Sequence, residues 1–543
     1  MKRRMVYISA SLLIAFVAHN VEAQGGRPAV GDKALTHMSQ SVAIRYWLAH
    51  PEQAPVHLQQ RFRQARQTAA QARGRSGTSR PHVAGLFNLD TFGLPQNEES
   101  VTACRPSTSV VLGGTNDFRG LFLDPEGNFT GWHLSTDDGA NVANEGFLPS
   151  VEIAGKPVPS GGDPVVAADG RCRLFAGSLN DDPFDPFTQP NGVGVYKSDP
   201  ATLASCPGGS DPSCWPTRRA VAVAEPPHFL DKEWLDVGKS GPAGVVVWVV
   251  YTNFVMDPSA PAGFTSASIN AVRCDADLVS CTSPILISDN DQDVQFGDVT
   301  IGQDGRTYIT WSEIQGELEG TAQTFIHKLR IAPAGSLTFG PTRVVATEEL
   351  PLPFGGFLHA NDFRTATYPK NEVALVGGRP RVFVVWDACQ ARPLDTICEE
   401  PQIKLTYSDD DGGTWTEQKI LSVGNDNYFP TISSDSAGRL AVAWYTNRFD
   451  PNFHNRQDVE LVTLNASTAA VTKRMRISLF PNETEADPVL GGFFIGDYIE
   501  VFADQGTAYV HYNANYRQIE LLGLGFPVNQ QDNFMVKTRL VGE

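Results

Sequence analysis

No Cys-x-x-Cys, Gly-x-Ser-x-Gly or His-Glu-x-x-His occurs in the 543 residues. Their absence removes a thiolate zinc ribbon, a serine-hydrolase elbow and a zincin helix from consideration. Nucleotide-binding glycine motifs are missing as well. Long apolar runs are scarce, and the single one, near the N terminus, is too short to span a bilayer. Basic charge is scarce beyond residue 80. Residues 81–543 hold 31 Lys+Arg against 58 Asp+Glu, a balance of −27, whereas residues 1–80 hold 12 against 3, a balance of +9. An acidic body excludes nucleic acid as partner, because binding phosphates needs a basic surface. It also resists adhesion to anionic membranes.

The apolar run Val6–Val17 follows Lys2, Arg3 and Arg4, and small residues Val21 and Ala23 stand at the −3 and −1 positions of a cleavage site. This predicts a secretory signal peptide over residues 1–23 and a secreted, extracellular or periplasmic product without a membrane span. The eight cysteines agree with export. Cys206 and Cys214, Cys274 and Cys281, and Cys389 and Cys398 each bracket one short polar loop. Local disulfides are the economical pairing, which leaves Cys104 and Cys172 to join at longer range.

Residues 24–85 read as a helical and linker segment lying outside the main domain. The stretch from Ala34 to Arg73 is rich in Ala, Gln and Arg, is broken by Pro51 and Pro55, and closes on "GRSGTSRP". From residue 86 to 543 the text is all-β: runs of β-branched and aromatic residues separated by Gly- and Pro-rich turns. A strand, an Asp/Gly turn and a second strand recur, as in "QFGDVTIGQDGRTYITWSE" and "YFPTISSDSAGRLAVAWYT". Asp163 and Asp497, five copies apart, set a period of about 67 residues. That length suits a four-stranded antiparallel propeller blade. Seven blades are expected, with six as the alternative; a lectin-like sandwich explains the strands but not the repeat.

The most acidic stretch is "YSDDDGGTW", Tyr407–Trp415. It reads as a hairpin clasp rather than a metal or catalytic cluster. Ser408 and Asp410 suit turn amides, Gly412 permits positive φ, and Trp415 can bury its indole between sheets, with Thr414 completing the spacing. "STDDGANV", from Ser135, is a weaker copy. These motifs resemble the Asp boxes of the sialidase-like (BNR-repeat) β-propellers. "FLDKEWLDV" and "FFIGDYIEVFADQGTAYVHYNANYR" look like family text too. The resemblance implies that the clasp lies between strands three and four of a blade, on the face opposite the active site.

Strand order then gathers candidates at the other mouth: Asp117 and Arg119, Asp231 and Glu233, Glu313, Asp362 and Arg364, Tyr445 and Arg448, Asp497 and Tyr498, Tyr516 and Arg517. By the resemblance, Arg119, Arg448 and Arg517 would clamp a sugar carboxylate, with Arg364 available beside them, and Asp117 would be the acid/base. Tyr516 or Tyr498 would be the nucleophile, assisted by Glu233. The family's Arg-Ile-Pro signature is absent, so its first clamp arginine has no match here. The plainer alternative pairs these arginines with neighbouring aspartates. "DNDQD" alternates Asp289, Asp291 and Asp293 as a calcium loop does, but lacks that loop's glycine and terminal glutamate; a surface loop is the expectation, with calcium the one cofactor allowed. The expected partner is an extracellular glycan or protein. Hydrolysis of an acidic sugar linkage is the first reading, a non-catalytic binding propeller the second, and a polysaccharide lyase using His133, His359, His511 or a tyrosine the third.

Overall fold

The recurring strand–turn–strand pattern closes into a ring. The computed structural model describes residues 35, 37–72, 85–90, 93–104, 109–289, 293–316, 322–351, 356–389, 397–520 and 527–540. Seven antiparallel sheets surround one axis. Their inner strands are Gln96–Ala103, Val165–Ala168, His228–Lys239, Val294–Ile301, Lys370–Val376, Asn427–Ser434 and Glu500–Asp504. From residue 96 to residue 500 that is six steps of about 67 residues, the period expected. Within a blade the chain meanders outward, as in blade 3: His228–Lys239, Val245–Met256, Phe264–Asp275, Ile285–Leu286.

Blade 7 contributes only three consecutive strands, Glu500–Asp504, Thr507–Glu520 and Pro527–Arg539. Its fourth comes from the other end of the propeller sequence. Leu86 bridges Phe534, Phe87 N–H donates to Asn533 O at 3.0 Å, and Met535 N–H donates to Gly85 O at 2.8 Å. The two ends of the ring share one sheet, which closes it.

Second strands such as Val245–Met256 are apolar on both faces because a blade is covered on each side by its neighbours. Trp248, Trp311, Trp386 and Trp444 sit on the second strands of blades 3 to 6, and each is fully buried. All eight cysteines are paired: 104–172, 206–214, 274–281 and 389–398. The first of these ties the strand-one turn of blade 1 to that of blade 2.

The acidic clasp is a turn between strands three and four of blade 5. Ser408 Oγ donates to Asp410 Oδ1 at 2.8 Å and accepts from Gly412 N–H at 2.9 Å, while Thr414 N–H and Oγ1 both donate to Asp410 at 2.8 Å. Ser135, Asp137, Gly139 and Asn141 repeat this pattern in blade 1. The indole of Trp415, expected to be buried between sheets, is only half-buried. It packs against the edge of the core, with its indole nitrogen shielded from solvent.

The helical stretch does not stand apart from the ring. Helices Gln40–Ala49 and Val56–Ala72 pack on the propeller, with Ile44, Trp47, Leu58 and Phe62 in one core with Phe118, Phe129, Leu490 and Phe494. Removing these apolar side chains from water supplies the driving force that composition alone did not reveal. The expected signal peptide lies outside the described residues. No helix among the described residues is long and apolar enough to cross a membrane.

Candidate functional site at the axial mouth

Where six of the seven inner strands enter the ring, one residue adopts a left-handed backbone. These are Glu98 (φ 59°), Asp163 (52°), Lys232 (51°), Phe296 (60°), Phe429 (53°) and Gly496 (93°). At a non-glycine residue this costs about 1–3 kcal/mol and persists only where the surroundings enforce it. Four of these strands also slip register, between Asn97 and Ser100, Asp231 and Trp234, Gln295 and Asp298, and Tyr428 and Thr431. Such bulges re-aim side chains. At Gly496 a side chain is excluded as well, since a Cβ would lie 2.7 Å from Glu98 N.

The re-aimed groups form a buried ionic cluster. Lys232 Nζ lies 2.8 Å from Asp497 Oδ2, 3.7 Å from Asp163 Oδ2 and 3.8 Å from Glu98 Oε1. Arg364 Nη2 donates to Asp497 Oδ2 at 2.9 Å. Burial acts to raise the Asp497 carboxyl, but Arg364 and Lys232 outweigh it and hold the group well below the usual range. Glu233 differs: burial, then the charge of Asp163, pushes it well up, and neither of its oxygens accepts a hydrogen bond. Burial and Asp163 also push Asp231 up to about 7. Tyr498 donates to Pro164 O at 3.0 Å and stacks edge-on to Trp234. Burial and the charge of Glu98 drive its phenol far from ionisation. A cavity of about 20 Å³ remains between Asp163, Glu233, Tyr368 and Tyr498, room for a water and not for a sugar ring. Below it the axis widens to about 160 Å³.

The start of the first helix closes this mouth. Ser39 N–H donates to Asp231 Oδ2 at 2.7 Å. Ser39 Oγ and Ser41 Oγ donate to Asp163 Oδ1 at 2.7 and 2.8 Å, and Met38 O accepts from Arg364 at 2.9 Å.

The expected site residues fall into separate groups. Glu233, Tyr498 and Arg364 meet in the axial cluster with Asp231 and Asp497. Asp117, Arg119 and Arg517 belong to a second network at the junction of blades 1 and 7. There Arg119 Nη2 reaches Asp117 Oδ2 at 2.5 Å, Arg119 Nη1 reaches Glu145 at 2.8 Å, and Arg517 Nη2 reaches Asp532 Oδ1 at 3.1 Å. Asp90 lies 3.7 Å from Arg119 and 3.4 Å from Arg517, joining the two. Arg448 sits elsewhere, on blade 6, bound to Glu460 at 2.7 Å. Tyr516 donates to Phe480 O at 2.6 Å, against Phe480 and Phe534. All four arginines are thus held by the protein's own carboxylates, the plainer of the two sequence expectations. Asp289 is taken by Arg330 at 2.6 Å, Asp293 accepts from Gln295, and Asp291 lies outside the described residues. Among the described residues no three His, Cys, Asp or Glu side chains stand together as metal ligands.

Sequence reasoning missed Glu98, Lys232, Ser39 and Ser41, and used Asp163 only as a repeat marker. Aligning the repeat copies at the strand entrance would have placed Glu98, Asp163 and Lys232 at one equivalent position, which was the available signal.

No protein-family model and no curated protein matches the chain. Solved structures similar to it include the Hadza microbial sialidase Hz136, 11% identical over 74% of this chain and 73% of that one, with a TM-score of 0.41. An alpha-L-arabinanase from Penicillium chrysogenum complexed with arabinobiose is 10% identical over 68% and 94%, at a TM-score of 0.40. The phage phi92 endosialidase is 9% identical over 86% and 69%, also at 0.40. None is close enough to lend this chain its activity.

Proposed function

We propose that the protein is an exported, glycan-directed propeller and that hydrolysis of a glycosidic linkage at the axial mouth is its activity. The observation carrying this reading is the pair Glu233 and Asp163. Both are buried at the axis, and Asp163 Oδ2 and both Glu233 oxygens accept no hydrogen bond. Glycoside hydrolysis needs one carboxyl that keeps its proton for the leaving oxygen and a second to act as base or nucleophile. Glu233, pushed well up by burial, fits the acid. Asp163 takes the other role, with Lys232 Nζ 3.7 Å from its Oδ2. Tyr498 is a poor nucleophile in this setting, because burial strongly disfavours its phenolate. Asp117, Arg119 and Arg517 act instead as the ionic lock of the ring closure.

A second reading, a binding propeller without turnover, is favoured by the prior engagement of every clamp arginine with a protein carboxylate. Assay of the intact chain, and of the chain cut within residues 73–84, against a glycan panel separates the two. Glu233→Gln should lower turnover by about 10²–10⁴, the usual worth of a general acid, with binding retained. Binding without product in any form selects the second reading. Undiminished turnover in both Glu233→Gln and Asp163→Asn would remove the axial pair from the chemistry.

A further inference from the structure

The way the N-terminal segment sits in the mouth says what the mouth is built to hold. Ser39 Oγ and Ser41 Oγ lie 2.8 Å apart, the spacing of neighbouring gauche hydroxyls on a sugar ring. Both donate to the same oxygen, Asp163 Oδ1. A third donor, Ser39 N–H, satisfies Asp231 Oδ2. Every described contact from these serines to the cluster is therefore a donor meeting a carboxylate. The charges point the same way. The two cations of this cluster, Lys232 and Arg364, are both already bound to Asp497, while burial pushes Glu98 and Glu233 well above the usual carboxylate range. An incoming carboxylate would find no free arginine fork, whereas a polyol brings hydroxyl donors of the kind that Asp163 already accepts from the serines. The serines are not incidental loop contacts. They are fixed in place by Arg45, one turn along the same helix, whose guanidinium grips buried Asp181 at 2.5 and 2.8 Å.

We infer that the mouth takes a neutral, polyhydroxylated sugar whose vicinal hydroxyls replace those of Ser39 and Ser41, and that the segment from His37 to Ala49 is an intramolecular plug standing in for it. This rests on the axial mouth being the ligand site. It goes beyond that reading by naming the ligand class and by making access conditional on displacement of the helix. A state closed by its own chain lowers apparent affinity by the fraction of molecules that are open.

The test uses the full chain with one protease site placed within residues 73–84. The strand at Gly85–Phe87 stays with the ring after cutting, so closure of blade 7 is preserved. Ser39→Ala, Ser41→Ala and Arg45→Ala in the same chain loosen the cut plug. Calorimetry with xylotriose, arabinotriose and galactotriose as neutral probes, and sialyllactose and trigalacturonate as acidic ones, reads the outcome. At least one neutral probe should bind the cut, loosened chain more than about tenfold tighter than the intact chain. The acidic probes should show no such gain, and a synthetic peptide spanning residues 37–49 should compete. Equal or better gain for the acidic probes overturns the ligand class. Equal binding to intact and cut chains overturns the plug while leaving the axial site standing. Neutral binding that survives Asp163→Asn undiminished overturns the axial reading itself. Failure of every probe to bind the loosened chain overturns the inference.

Discussion

Arg45→Ala is expected to detach the first helix before the propeller unfolds. Arg45 Nη1 and Nη2 meet the two oxygens of Asp181 at 2.5 and 2.8 Å, and both side chains are 1% exposed. Truncation leaves the Asp181 charge buried with nothing opposite it, and breaking a buried pair from one side costs about 3–5 kcal/mol. At 1.4 kcal/mol per factor of ten, amide protection across Gln40–Ala49 should fall by about two to three and a half powers of ten, up to the limit set by local opening. Hydrogen exchange resolved by peptide reads this directly, and the main melting transition of the ring should move far less. Replacing both partners, as Arg45→Met with Asp181→Leu, should restore most of the protection, because no unpaired charge is left. Gly161→Ala offers an independent route to the same pair, since a Cβ there would sit 2.3 Å from Asp181 Oδ1. Unchanged exchange at Gln40–Ala49 in Arg45→Ala would show that the pair does not hold the plug.

Phe87→Ala should destabilise the ring by about 3–5 kcal/mol in urea titrations, as for large core truncations, because Phe87 is 1% exposed and packs edge-on to His511 where the ring closes. A loss under about 1 kcal/mol would mean that closure does not depend on the Gly85–Phe87 strand. Mass mapping of nonreduced protein should recover the four disulfides. Replacing Cys104 and Cys172 with serine should cost about 4 kcal/mol against about 2.5 for Cys206 and Cys214, since the closed loops span 68 and 8 residues. A larger loss from the short loop would contradict the entropic account. Burial pushes Asp387 up to about 8, far above the roughly 3.9 of an unfolded aspartate. The native state therefore keeps a proton that the unfolded chain releases, and stability falls as pH rises from about 4 to 8, by up to about 1.4 kcal/mol per pH unit. Asp387→Asn should flatten that slope in denaturation curves taken across the range; an unaltered slope would place the proton elsewhere.

The repeat made the blades legible, because a 67-residue period and Asp/Gly turns are local properties of the text. The site was far less so, and the two "NDFR" copies show why. At residues 116–119, Asp117 ends a strand, caps the helix Phe118–Leu123 and binds its own Arg119. At residues 361–364 the same letters lie in the long connection entering blade 5, where Asp362 is exposed and Arg364 crosses to Asp497 on blade 7. An arginine's partner is fixed by which blade edge the fold brings opposite it, and four letters carry no record of that. The helix that fills the mouth was hidden for a related reason. Its sequence advertises Ala, Gln and Arg, while the residues that matter are two serines ahead of and within its first turn.

Density of charge along the chain proved a poor guide to density of charge in space. Asp409, Asp410 and Asp411 stand in a row, yet Asp410 is satisfied by its own turn, and Asp409 and Asp411 face Arg381 and Arg306 at the rim. The axial carboxylates come from four different blades: Glu98 from blade 1, Asp163 from blade 2, Asp231 and Glu233 from blade 3, Asp497 from blade 7. A ring converts residues spaced a blade apart into neighbours, and the left-handed entrance at Glu98, Asp163 and Lys232 turns them inward. Each looks ordinary in its own repeat: Glu98 stands beside Glu99 in "QNEES" and Lys232 between Asp231 and Glu233 in "LDKEW", short runs no more acidic than the surface clasp. The physical cost is concentrated where they meet, as strained backbone and as carboxyl oxygens with no hydrogen bond. A propeller that needed only stability would fill its axis with apolar side chains, which is the cheaper solution for buried positions. An axis lined instead with unsatisfied acceptors, and covered by hydroxyls the chain itself supplies, has the form of a site awaiting donors.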